Sequence, residues 1–106
     1  MSFSIEVEKK EKEVRLYLMG ELDITTIAEF NDSLKQIEDC EKVVIDFSKI
    51  TFMDSTGIGS IMEVIYLSQS EGFSLLFENL NEELQEVFET VGLFQLLKVV
   101  QGENGA

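Results

Sequence analysis

The stretch that decides the reading is Val43–Gly59, VVIDFSKITFMDSTGIG. Its opening run, Val43 to Phe47, is apolar and rich in β-branched residues, as a strand buried on both faces requires. A short connection brings in Phe52 and Met53, and Asp54-Ser55-Thr56-Gly57 opens a helix. The apolar stripe of that helix is Ile58, Ile61, Met62 and Ile65, at helical spacing, and Gly72 ends it. In parallel α/β sheets the mouth at the carboxyl ends of the strands is the favoured place for function. Ser55 is expected there, at a helix N-terminus, with its hydroxyl facing solvent.

Working outward, the alternation continues in both directions. Phe3, Ile5 and Val7 alternate with Ser4, Glu6 and Glu8, a period-2 strand, and Val14–Met19 is a second and more apolar one. The charged segment Lys9–Glu13 between them suits a hairpin turn. Gly20 then breaks the strand, and Asp23 or Thr25 can cap a helix with the stripe Ile27, Phe30, Leu34 and Ile37. Downstream, Phe73–Phe77 reads as another buried strand. Asn79 or Asn81 precedes a helix with Leu84, Val87, Phe88 and Val91 on one side, closed by Gly92. Leu96–Val100 reads as a final short strand and residues 101–106 as a frayed tail. The order is ββαβαβαβ. It predicts an α/β fold, a mixed sheet with parallel βαβ units and helices packed on it.

Size agrees with one domain spanning residues 1–106, its folded core at 3–100. The hydrophobic fraction of 44 % is enough for a packed interior. No apolar run approaches the ~20 residues needed to cross a bilayer, and Met1–Lys12 lacks the apolar stretch of a signal peptide. One cysteine, Cys40, and no histidine leave no internal disulfide and make a protein-only metal site improbable. A cytoplasmic protein, monomeric when free, is the expectation.

Charge narrows the partners. The net charge is −13, and from Asp54 onward the only basic residue is Lys98, against nine acidic ones. Such a surface repels phosphate backbones and anionic headgroups, so nucleic acid and membrane are poor partners. It steers in a protein with a basic face, or simply keeps the chain soluble.

The chemistry available to Ser55 is equally narrow. A nucleophile elbow needs glycine where Met53 stands, and without histidine a Ser-His-Asp triad is excluded. Gly57-Ile58-Gly59-Ser60 lacks the lysine of a phosphate-cradling loop. Asp23, Asp46 and Asp54 could gather around a divalent cation, but Asp46 and Asp54 read better as a strand end and a helix start. No catalytic role, cofactor or metal is expected. Taken alone, Ser55 reads as an ordinary N-cap. Gly57 and Gly59 serve either helix packing or close approach by a partner.

Three segments together resemble the STAS family of anti-sigma-factor antagonists. They are Gly20-Glu21-Leu22-Asp23, then Val43–Ser48 followed by Phe52–Gly59, then Glu83-Leu84 through Val91-Gly92-Leu93. The resemblance implies a regulatory interaction module. The unphosphorylated form binds an anti-sigma factor that is also a serine kinase, which frees a sigma factor. Phosphorylation of Ser55, with Thr56 as the alternative acceptor, ends that binding, and a metal-dependent serine phosphatase restores it. The partner surface then comprises Asp23, Ile24, Asp54, Ser55, Thr56, Gly57 and Gly59. The alternative is a constitutive STAS subunit of a lipid transporter, or of another signalling assembly, without phosphorylation.

Overall fold

The first two strands, β1 (Phe3–Lys10) and β2 (Glu13–Leu22), form the expected antiparallel hairpin, with Phe3 opposite Gly20 and Lys10 opposite Glu13. The structure, a computed structural model, describes residues 3–105, the side chains of 103–105 excepted. Strand β2 pairs in parallel with β3 (Lys42–Met53), and β3 in parallel with β4 (Ser74–Glu78). Among the described residues this gives one sheet in the order β1-β2-β3-β4. The helices are α1 (Ile27–Ser33), continued by a 3-10 turn at Leu34–Gln36, α2 (Ser55–Glu71), α3 (Glu82–Thr90) and α4 (Leu93–Gly105).

Alternation along the strands assigns the two faces of the sheet. Val14, Leu16 and Leu18 of β2 join Val43, Ile45 and Phe47 of β3 and Leu75 of β4 in one buried cluster. Phe30, Ile61, Val64, Ile65, Leu84, Phe88, Leu93 and Val100 of the helices complete it. Phe88 is the hub of its aromatic part, edge-on to Phe47 at 5.5 Å and to Phe77 at 5.8 Å and tilted against Phe94 at 5.8 Å. The intervening residues face the other way and are mixed, with Val44 buried among polar neighbours that include Arg15, Tyr17 and Asp46. Arg15 bridges Glu13 and Glu78 at 3.0 Å each, and Tyr17 donates to Glu8 at 3.1 Å. Asp46 accepts from the Ser48 N–H and from Asn79 Nδ2, both at 2.8 Å.

Four expectations need correction. Leu96–Val100 is helical, so the order is ββαβαβαα. Leu93 and Val100, two turns apart, are both buried, with Leu96 and Leu97 packed between them. A short apolar run does not separate helix from strand by itself, and here helical spacing wins. Secondly, Gln101 is no frayed tail residue. It lies in α4, where Oε1 accepts from the Leu75 N–H at 2.8 Å and Nε2 donates to Ser68 Oγ at 3.1 Å. The helix continues to Gly105, and Ala106 lies outside the described residues.

Thirdly, the connection after Phe47 is strand. Residues 49–53 of β3 pair with Met19–Leu22, and Gly20 sits inside β2 with φ +96°. Two register shifts place an extra residue in β3, one between Asp46 and Lys49 and one at Thr51. Bulges of this kind bend a strand and increase its twist next to functional sites. Lastly, Val87 and Val91 are 37 % and 46 % exposed, so α3 buries only Leu84 and Phe88.

Candidate functional site

The site follows from the register of the two central strands. Leu22 and Met53 are partners in the parallel pair, so β2 and β3 finish level and their next residues, Asp23 and Asp54, begin neighbouring loops. Asp54 joins the two loops. Its backbone is extended (φ −98°, ψ −174°), the conformation of an N-cap, and Oδ1 accepts from the Gly57 N–H at 2.9 Å. Its Oδ2 accepts from the Ile24 N–H at 3.1 Å, and its own N–H donates to the Leu22 carbonyl at 3.3 Å. One carboxylate therefore caps α2 and fastens the loop after β2.

That loop is organised internally by Asp23 and Thr26. The Asp23 carboxylate accepts from the Thr25 hydroxyl at 2.6 Å and the Thr25 N–H at 2.9 Å. These bonds hold its carboxyl below the usual range, hydroxyl first, so Asp23 is anionic at neutral pH. The buried Thr26 hydroxyl accepts from the Asp23 N–H at 3.0 Å and donates to the Glu21 carbonyl at 2.8 Å. Neither Asp23 nor Thr25 caps α1, as the sequence had suggested. Thr26 holds the N-cap position, and Asp23 closes the turn ahead of it.

The N-cap reading of Ser55 falls to Asp54. Ser55 is the first residue of α2, exposed, and its hydroxyl has no hydrogen-bond partner among the described residues. Thr56 beside it is half-buried. Ile24 is 71 % exposed, the most exposed large apolar side chain among the described residues. Gly59 is half-buried with open space where a Cβ would stand. Gly57 does not belong to this surface. It is buried, and a Cβ there would lie 2.4 Å from the Leu22 carbonyl oxygen. Its smallness serves the close approach of α2 to the end of β2. Asp46 is also elsewhere, engaged with Ser48 and Asn79, so the three aspartates do not gather. Sequence reasoning missed Thr26, whose buried hydroxyl shapes the loop; threonine shortly before a helix was its only signal.

Chemically, this arrangement displays a hydroxyl rather than activating one. No histidine exists to take its proton, and the adjacent carboxylate of Asp54 is spent on two backbone amides. A helix N-terminus does favour an anion at its first residue.

Comparison with known proteins agrees with this geometry. The STAS domain family model matches residues 4–106. The anti-sigma-B factor antagonist of Bacillus subtilis (strain 168) is 26 % identical over 106 residues, covering 99 % of this chain and 97 % of its own. The anti-sigma F factor antagonist of Paenibacillus polymyxa is 28 % identical over 109 residues, covering 100 % and 93 %. Among solved structures, the anti-sigma factor antagonist SpoIIAA in its unphosphorylated form superposes with TM-score 0.64 at 21 % identity, over 81 % of this chain and 82 % of that one. The Bacillus cell fate determinant SpoIIAA in its phosphorylated form gives 0.62 at 21 % identity, over 88 % and 87 %. With nearly the whole chain matched and the strand-to-helix junction at Asp54-Ser55 built as described, the protein belongs to the STAS domain family.

Proposed function

We propose that this protein is an anti-sigma-factor antagonist whose binding is switched off by phosphorylation of Ser55. Unphosphorylated, it binds an anti-sigma factor that is also a serine kinase and so frees a sigma factor in the cytoplasm. The kinase then modifies Ser55, and a metal-dependent serine phosphatase reverses the step. The observation that carries the proposal is the state of Ser55: exposed, its hydroxyl without a partner among the described residues, and relieved of capping by Asp54, whose carboxylate also holds the N–H of the exposed Ile24. The names of full-length relatives support the antagonist role, and the neighbour solved in both phosphorylation states supports the switch. Exposure favours Ser55 over the half-buried Thr56 as acceptor.

The physics of the switch is local. A phosphate brings about −1.5 to −2 charge to a helix start that tolerates anions, so the domain survives it. Asp54 and the anionic Asp23 lie in the adjoining loops, and from Asp54 onward the chain offers Lys98 as its one cation. Among the described residues no Lys or Arg is paired with Asp23, Asp54 or Ser55, so the new charge is given no built-in clamp in this reading. It acts at the interface, where an unpaired charge is costly to bury. The rim of that interface comprises Asp23, Ile24, Asp54, Ser55, Thr56 and Gly59.

The test is intact-mass spectrometry of wild type and Ser55→Ala after incubation with the anti-sigma kinase and ATP. A single added phosphate on wild type, absent from the variant, is the expected result. An unmodified wild type contradicts the switch, and a modified Ser55→Ala moves the acceptor to Thr56.

A further inference from the structure

Strand β3 is paired on both sides only as far as Asp46, where β4 stops at Glu78. From there to Met53 it pairs with β2 alone, and its other edge has no strand partner among the described residues. The two outer edges of the sheet are treated differently. On β4 the Leu75 N–H is taken by Gln101 of α4 at 2.8 Å, and β1 carries Glu6, Glu8, Lys9 and Lys10 along its length. Engaged amides and charged side chains are the usual means of blunting an edge against added strands. The end of β3 has neither protection at residues 50–53. Instead it forms one wall of a groove of about 240 Å³ whose other wall is α3, with Glu83, Leu84 and Val87 facing it.

Three properties of this groove converge on one kind of occupant. Free strand-edge amides and carbonyls select an extended backbone. Phe52 and Val87, 51 % and 37 % exposed, offer apolar contacts along the groove. Glu83 lines the groove, and Glu82, Glu86 and Glu89 add negative charge elsewhere on α3, which carries no basic residue, so cationic side chains are favoured. We infer that the groove between the end of β3 and α3 is a second binding site, which takes an extended segment of a partner protein with alternating apolar and basic residues. The segment adds to β3 as a parallel or antiparallel strand, its apolar side chains against Phe52 and Val87 and its basic ones in reach of Glu83 at the groove's rim. This site is separate from Ser55 and stands whether or not the phosphorylation switch does.

The probe is the peptide acetyl-Lys-Val-Lys-Val-Lys-Val-amide, titrated into the isotopically labelled full chain and followed by backbone amide shifts. Saturable shifts confined to Thr51–Met53 and Glu82–Val87 are expected. The same peptide N-methylated at every residue, which can donate along neither edge, should bind about tenfold or more weakly. Glu83→Lys and Val87→Asp, both at exposed positions, should weaken the unmethylated peptide to a similar degree while leaving the free spectrum otherwise unchanged. Equal binding of the methylated peptide, shifts centred elsewhere, or no shifts at millimolar peptide would each overturn the inference.

Discussion

Helices α2 and α3 start with the same cap and are held in different ways. Asp54 accepts from the Gly57 N–H at 2.9 Å, and Asn81 accepts from the Leu84 N–H at 2.8 Å, each from an extended backbone. Beyond that the two ends part. Asp54 also holds the Ile24 N–H and the Leu22 carbonyl, and Gly57 lets α2 press against the end of β2. Among the described residues, Asn81 makes no such tie to a second loop. A cap alone sets where a helix begins. A cap that also bonds a neighbouring strand end fixes where the helix start stands in the molecule, as the proposed role of Ser55 requires.

The sharpest way to break this comparison is Gly57→Ala. Its Cβ would meet the Leu22 carbonyl, backbone on both sides, so α2 must shift. The expected loss is about 1–3 kcal/mol in urea unfolding, with weaker partner binding. Gly59→Ala, one half-turn on, meets nothing and should stabilise by about 0.5–1 kcal/mol through helix propensity. Equal effects at the two glycines would remove the distinction. Next in size is Asp54→Ala, expected to cost about 1–2 kcal/mol for the lost cap and loop tie and to weaken partner binding with it. Asn81→Ala should cost about 1 kcal/mol and leave binding at the Ser55 end unchanged. If it weakens that binding as much as Asp54→Ala does, the tie to Ile24 is not what matters.

A smaller effect sharpens the comparison from the other side of the sheet. Burial works against the charge of Asp46, but the bonds from Ser48 and Asn79 outweigh it and hold its carboxyl below the usual range. The folded value thus lies under the unfolded one of about 3.9. The resulting stability is complete above that pH and is lost as the pH falls through the folded value. Asp46→Asn should therefore be less stable than wild type near neutrality, with the gap closing on acidification. The check is a series of urea midpoints across pH, and a constant gap would contradict it.

Much of this was legible in the sequence, and the exceptions share a cause. Alternation marked β1 and β2, helical stripes marked α2 and α3, and DSTG marked the junction that carries Ser55. Periodicity fails where a run is short: Leu96–Val100 fits strand and helix alike, and only the burial of Leu93 and Val100 on one side decides. Bulges hid the rest of β3, because extra residues at Thr51 and near Ser48 disturb the alternation that Ile50 and Phe52 would otherwise show. The site was legible as a list of residues but not as an arrangement. Nothing local in the sequence says that Gly57 faces Leu22, or that Asp54 rather than Ser55 caps α2, since both are contacts across the sheet end or choices between adjacent cap formers.

The central claim is that Ser55 lies in an interface and that its phosphate acts there. The direct test is calorimetric titration of the anti-sigma factor with the unphosphorylated and the Ser55-phosphorylated protein. Binding about a hundredfold weaker after phosphorylation, a difference of ~2.8 kcal/mol, is the predicted result. Equal affinity of the two forms would contradict the account.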